Sequence, residues 1–389
     1  MKKAILTALT LIALSFGTPH FAAGQEGASG IAASGPTYWS PVIMGAPSLA
    51  ILPDARSTGM GNIGLTTDAD AYGLYHNMSK MGFLTNRWGL SATYTPWMAS
   101  YGIKGMSFSY LTGYYSFEDE YYEARHSLAA SLRYFRVGEA LAFTTGTHTP
   151  VTVHPYELAL DLGYALRFNP RWSFGAAIRY AISDFNTISN GVAGKAATVL
   201  GDLSVTYRRP VTISKYDGLV SAALALNNIG GKLTHDGGKS YLFSPAIMRL
   251  GVGLETEFTA LHKLGVHLEA SKFLAPTFPG NGTEDELSAY YNMNVFEGLF
   301  GSFGDAKGGS LEELKEVSWG LGLEYVYADR LFARAGYFIQ DPSKGSGGGL
   351  TLGAGVKYEW AKVDLSYLAA TRPDSPLNNT LRIGVTFDF

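Results

Sequence analysis

Leu381-Arg382-Ile383-Gly384-Val385-Thr386-Phe387-Asp388-Phe389 is the stretch that decides the fold. Leu381, Ile383, Val385, Phe387 and Phe389 fall on one face; Arg382, Gly384, Thr386 and Asp388 fall on the other. Successive side chains of extended backbone point to opposite sides, so this alternation marks a strand with one apolar and one polar face. The pattern recurs upstream. Val317, Trp319, Leu321, Leu323 and Tyr325 oppose Ser318, Gly320, Gly322 and Glu324. Leu350, Leu352, Ala354, Val356 and Tyr358 oppose Thr351, Gly353, Gly355 and Lys357. Tyr156 to Phe168 and Trp172 to Ala181 repeat it, with Trp or Tyr near the ends of the apolar face. Long strands with aromatic ends on the apolar side favour lipid outside and a polar interior.

The expected strands are 87–97, 105–115, 126–145 with a bulge, 156–168, 171–183, 196–209, 217–228, 245–257, 262–273, 316–327, 330–340, 349–359, 361–371 and 380–389. They make an all-β, antiparallel transmembrane β-barrel of about fourteen strands, an even number as single-chain bacterial barrels require. With both barrel termini on the periplasmic side, the connections at 169–171, 327–329 and Trp360 are short inner turns. The stretches 184–195, 229–244, 274–315, 341–348 and 372–379 are then long extracellular loops. Residues 116–125 form one inner turn longer than this scheme needs. Phe387 and Phe389 on the last strand look like the signal that outer-membrane barrel assembly reads.

Composition agrees. Charged residues are 16%, against about a quarter in soluble domains, while Tyr is 24, Phe 21 and Gly 47. Lys2 and Lys3, the apolar run Ala4 to Phe16 and the small residues Ala22-Ala23-Gly24 predict a signal peptide over 1–24, cleaved near Gln25. That places the mature chain in the outer membrane of a diderm bacterium, among membrane lipid and lipopolysaccharide. There is no cysteine, so neither a lipidated terminus, a disulfide nor a thiolate metal site is expected. The net charge of -3 makes nucleic acid an unsuitable partner. No His pair has metal-ligand spacing, and Glu297 and Asp305 have no catalytic partner in sequence. No enzyme activity, cofactor or metal is therefore expected.

The polar faces carry Glu157, Asp161, Arg167, Arg179, Asp202, Arg208, Arg249, Glu255, His267, Glu269, Glu324, Arg334, Lys357, Glu359, Asp364 and Arg382. Mixed signs point first to a lumen packed by ion pairs, and second to a substrate channel. Residues 25–86, rich in Gly, Ala, Ser and Pro, precede the barrel proper (87–389) and lack long alternation. They are expected to fold into the lumen as a plug, with Asp54, Arg56, Gly59, Gly61 and Asn77 among the plug residues. The glycine-dense run 59–64 has no strand–helix unit around it, which excludes a phosphate-binding loop. Residues 274–315 are far longer than a barrel connection needs. Thr283 with Glu286 and Ser310 with Glu313 fit the capping-box pattern that starts a helix. Tyr290, Phe296, Leu299 and Phe300 there, with Trp97, Met98 and Tyr101 in the first outer loop, are the candidate partner-binding residues.

The run Leu52-Pro53-Asp54-Ala55-Arg56-Ser57-Thr58-Gly59-Met60-Gly61-Asn62-Ile63-Gly64 resembles the opening of the PorV (LptO) family of the type IX secretion system. Asp68-Ala69-Asp70-Ala71 and His76-Asn77-Met78-Ser79-Lys80 continue the likeness. The family usually reads Asn-Pro-Ala where this chain has Asn77-Met78-Ser79. Ser131-Leu132-Arg133-Tyr134-Phe135 and the last strands are also similar, so the resemblance spans nearly all the mature chain. It implies a FadL-like barrel of fourteen strands with an N-terminal plug. It also implies a shuttle that takes cargo, by its C-terminal domain, from the translocon SprA (Sov) to the sortase PorU for surface attachment. The competing function is a FadL-type transporter of hydrophobic small molecules, which needs an apolar pocket in the lumen.

Overall fold

The computed structural model describes residues 44–389 apart from 99–104, 120–123, 144–149, 190–191, 280–282, 307, 346 and 374. Its first strands are β1 (Trp88–Pro96), β2 (Ser107–Asp119) and β3 (Ala124–Arg136), then a small hairpin of β4 (Ala140–Phe143) and β5 (Pro150–Val153). There follow β6 (Tyr156–Arg167), β7 (Trp172–Ser189), β8 (Val192–Ile213), β9 (Tyr216–Gly230), β10 (Ile247–Thr259) and β11 (His262–Phe273). The last are β12 (Val317–Tyr327), β13 (Leu331–Ile339), β14 (Gly349–Tyr358), β15 (Ala361–Ala370) and β16 (Thr380–Asp388). Every strand but β4 and β5 joins one closed antiparallel barrel of fourteen strands. The seam is β1 on β16, with Gly89 opposite Asp388 and Tyr94 opposite Ile383. Phe389 stacks on Trp88 at 4.1 Å and on Trp360 at 5.3 Å, and its backbone pairs with Trp88. Closure satisfies the backbone of every strand laterally, which is what a sheet in hydrocarbon requires.

The alternation points as the sequence requires. Leu381 and Ile383 are exposed, whereas Arg382 between them is buried. The same holds for Leu321, Leu323 and Tyr325 against the buried Glu324. In water this exterior would be a very large apolar patch; in lipid it is the matching surface. Two aromatic belts bound it. Trp88, Tyr115, Tyr164, Trp172, Tyr325 and Trp360 lie at the end with the short turns; Tyr94, Tyr134, Trp319, Tyr337 and Tyr367 lie near the end with the long loops. No helix among the described residues is long and apolar enough to cross a membrane.

Four expectations need correction. The strand expected over 126–145 stops at Arg136, where Gly138 takes a positive φ of 96° and the chain leaves the wall for the separate β4–β5 hairpin. The stretch 116–125 is mostly strand: β2 and β3 pair out to Asp119 and Ala124. The stretch 184–195 is mostly the continuing β7–β8 ladder, where Ile188 pairs with Ala193. Glu359 sits in the turn after β14 with a φ of 54° and is exposed, so it does not face the lumen.

Residues 44–86 lie inside this wall. They comprise 3-10 turns at Pro47–Ala50 and Met78–Phe83 and two one-turn helices, α1 (Ala55–Thr58) and α2 (Gly73–His76). Their hydrogen-bond partners come from strands all round the barrel: Thr93, Ser127, Glu157, Thr206, Glu269, Glu324, Thr351 and Ser366. One short segment can reach all of these only from the interior. Glycine makes the approach possible. Gly61 has a φ of +69°, and a Cβ there would lie 2.6 Å from the Leu321 carbonyl oxygen. On the wall, a Cβ on Gly336 would lie 2.1 Å from the Gly61 nitrogen, and one on Gly322 would lie 2.4 Å from the Met60 oxygen. The glycine-dense run is thus packed backbone against backbone.

Candidate partner-binding face and inner segment

The inner segment is held by buried charge pairs. Asp54 caps α1 by accepting from the Ser57 amide at 2.7 Å, and its other oxygen meets His76 Nε2 at 2.6 Å. Arg249 Nη1 donates to His76 Nδ1 at 3.2 Å, which leaves Nε2 as the protonated nitrogen that donates to Asp54. Arg56 forms a two-pronged pair with Glu324 at 3.0 and 2.7 Å and reaches Asp70 at 3.0 Å. Glu324 also accepts from Arg334, which in turn donates to Asp364 at 2.6 Å. A second network joins Arg179 to Asp161 at 2.6 Å and to Asp202 at 3.1 Å. Asn77 donates to the Leu65 carbonyl and to Thr206 Oγ1 at 2.8 Å, while its own oxygen caps the following turn. The structure therefore brings Asp54, Arg56, Gly59, Gly61 and Asn77 together inside the lumen.

Burial and the neighbouring Arg249 hold the His76 imidazole below its usual pKa, against the pull of Asp54. A folded-state value below the unfolded one means that this stability is present above about pH 6.5 and is lost as pH falls below it. Acid is thus expected to loosen residues 54–80, by up to about 1.4 kcal/mol per pH unit. Hydrogen exchange checks this: protection should fall on acidification in the native chain and much less in His76→Gln, which keeps both hydrogen bonds. Unchanged protection in the native chain would contradict it.

The described residues of the connection 274–315 form a cap that includes the helices α3 (Glu284–Asn292), α4 (Val295–Gly301) and α5 (Ser310–Lys315). Thr283 and Glu286 form the expected capping box, with reciprocal bonds of 2.8 and 3.3 Å. The second expected box does not form, because Ser310 is already inside α5 and Gly309 occupies its N-cap. Glu313 instead accepts from the Ala306 amide and from Lys272. The start of α4 was not foreseen; Asn294, which accepts from the Glu297 amide at 2.8 Å, is its capping signal.

This cap is fastened at several points. Lys232 Nζ donates to the carbonyls of Tyr290, Tyr291 and Met293, covering the C-terminal end of α3. Tyr290 packs on Phe243 and Phe278, and Leu299 packs on Ala246 and Leu274. Asp305, Glu313 and Glu316 bring a carboxylate oxygen each within 4.8 Å of the others. The positive charge there comes from Lys272, paired with Glu313 and Glu316, and from Lys344, paired with Glu312 and Glu316.

The candidate contact residues divide. Tyr290 and Leu299 are buried anchors inside the cap. Phe296 and Phe300, four apart on α4, are 67% and 70% exposed. Phe303, Leu311 and Leu314 extend the exposed apolar surface on the same connection. Trp97 is buried against Phe135, Met98 is half-buried with φ 52°, and Tyr101 lies outside the described residues.

The family model for "Type IX secretion system protein PorV" matches residues 39–280, which include the described inner segment and β1 to β11. The chain belongs to this family. It is accordingly an outer-membrane component of type IX protein secretion. No curated protein matches the chain in sequence. Among solved structures, this PorV-family barrel is similar to the Pseudomonas putida toluene transporter TodX, with 12% identity over 85% of this chain and 96% of that one and a TM-score of 0.47. A deltaS2 mutant of the TodX monoaromatic hydrocarbon channel gives 12% identity, 86% and 98% coverage and a TM-score of 0.50. A Pseudomonas aeruginosa FadL homologue gives 12% identity, 87% and 98% coverage and a TM-score of 0.41. At such identity the likeness is one of fold: a FadL-like barrel of fourteen strands.

Proposed function

We propose that the chain is a cargo shuttle of type IX secretion that works from its loop end. In this reading the loop end faces outward and both barrel termini are periplasmic. Cargo passes by its C-terminal domain from the translocon SprA (Sov) to this face, and then to the sortase PorU for attachment. Residues 44–86 act as a plug that keeps the lumen closed throughout.

One observation carries the reading. The largest exposed apolar side chains outside the lipid-facing wall sit on a fastened helical cap, with Phe296 and Phe300 side by side. Aromatic residues on a rigid support are what dominate binding interfaces, whereas a mobile loop would lose affinity to ordering. A folded domain cannot share a lumen already holding residues 44–86, so the grip belongs outside. The hydrophobic-transporter alternative is disfavoured by the depth of the lumen: beyond a part-apolar cavity at the loop end, residues 44–86 and the buried networks around Arg179 and Arg334 offer ions, not a continuous apolar path.

Replacing residues 283–303 by a short Gly-Ser linker tests the proposal in cells. Barrel assembly should persist, read as faster migration of the unboiled than the boiled band. Cargo should accumulate in the periplasm or on the translocon, uncleaved and unattached. Normal attachment by that variant would remove this cap from the mechanism.

A further inference from the structure

At the loop end of the lumen lies a cavity of about 540 Å³, within the size range of small-ligand pockets. It is bounded by Ile51 and Leu52 of the inner segment, Trp97, Phe338 of β13 and Leu377 of the last loop. Two arginines line it: Arg249 of β10 and Arg382 of β16. Both are at least nine-tenths buried. Arg382 lies over the Trp97 ring at 5.5 Å, but its Nε and Nη1 have no hydrogen-bond partner among the described residues. Arg249 uses Nη1 on His76, and its Nε has no hydrogen-bond partner among the described residues, with Glu269 Oε1 at 3.9 Å.

A buried guanidinium nitrogen with no acceptor within hydrogen-bond distance is costly. Arg56, Arg179 and Arg334 each hold a carboxylate close, at 2.7, 2.6 and 2.7 Å. Arg133, Arg208 and Arg334 also keep unpartnered nitrogens, but none of them lines this cavity, whereas Arg249 and Arg382 border it together. Guanidinium groups suit planar oxyanions, above all carboxylates. The rest of the lining selects among carboxylates. The lining is mostly apolar, with Asn62, Ser271 and Ser318 set among the apolar walls and Glu269 beside Arg249. Those polar groups offer partners that peptide amides can use and a plain hydrocarbon tail cannot.

We propose that this cavity receives an extended peptide end, with its free α-carboxylate on Arg382 and Arg249. The proposal rests on the reading of the loop end as the cargo face, and it gives that face a second grip, specific for a chain terminus. Trp97 thereby acquires a place: it is a cavity wall that stacks on Arg382 and not a surface contact.

The test uses the full-length protein in detergent, immobilised and offered two mixed-sequence hexapeptide pools. The pools differ only in ending as the free acid or as the amide. Captured peptides are read by mass spectrometry. Free acids should be enriched about tenfold over amides, the discrimination that charge-assisted hydrogen bonds provide. Arg382→Gln should bring that ratio to parity while the heat-modifiable band persists. Ser318→Phe, which narrows the cavity and leaves both arginines in place, should reduce capture of the acid pool and serves if Arg382→Gln fails to assemble. Equal capture of acid and amide by the native protein would overturn the proposal. So would displacement of the captured acids by oleate with no peptide preference remaining, which would make the site one for a lipid acid. The outcome is separable from the shuttle reading. Whole-cargo binding that persists without terminal preference removes only the cavity proposal. A terminal preference in a protein that does not bind cargo removes only the shuttle.

Discussion

Phe296→Asp with Phe300→Asp lowers affinity for the cargo C-terminal domain by about 100-fold or more, if each ring is worth the 2 kcal/mol of a typical hot spot and the two do not add fully. Both rings are two-thirds exposed, so their loss in the free protein leaves no cavity and strips no buried partner. Their neighbours hold the helix in place without them: Leu299 packs inward, and Asn294 caps the first turn. Stability should therefore change by less than about 0.5 kcal/mol, as for ordinary surface substitutions. Tyr290→Ala offers the contrast. It removes the ring against Phe243 and Phe278 and should unfasten the cap, so that cargo affinity and the proteolytic resistance of residues 274–315 fall together. Titration of detergent-purified protein with a purified C-terminal domain separates the two cases. Unchanged affinity in the double Asp variant would place the cargo contact elsewhere.

The sequence made the wall legible because a strand between lipid and a polar lumen must alternate at every residue. Leu381 to Phe389 alone carries that information, and the strands that run furthest past their expected ends do so where the ladder continues beyond the lipid. Beyond Asp184 and before Ala196 there is no lipid to demand alternation, so β7 and β8 extend there without the signal. Within the cap, Thr283 and Glu286 were readable because a capping box is local. The division of its aromatic residues was not. Both Tyr290 and Phe296 are aromatic, and Phe243, brought in from the loop after β9, decides with Phe278 which is buried. Arg249 and Arg382 could be assigned to the interior from alternation. Their unpartnered nitrogens could not, because these depend on which acceptors the inner segment and the neighbouring strands bring within reach.

Glu324→Ala is expected to turn a closed lumen into one that opens. Glu324 accepts from Arg56 of the inner segment and from Arg334 of the wall, and it is buried with both. Removing it leaves Arg56 with Asp70 and Arg334 with Asp364, and a broken buried pair costs about 3–5 kcal/mol. That cost falls on the folded position of residues 44–86, because withdrawing Arg56 from the wall relieves it. Asp54 and Asn77 still hold α1 and the turn after α2, so opening should be intermittent. Planar-bilayer recording should show bursts of conductance in Glu324→Ala, no resolved current in the native protein and steady current when residues 44–84 are deleted. The rim supplies the control. Glu118 pairs with Arg125 at 2.8 Å but is more than half exposed, and such a pair is worth at most about 1 kcal/mol. Glu118→Ala should leave the lumen closed. Equal behaviour of the two variants would mean that the buried network does not hold the inner segment in place. Steady current in the native protein would mean that residues 44–86 do not plug the lumen.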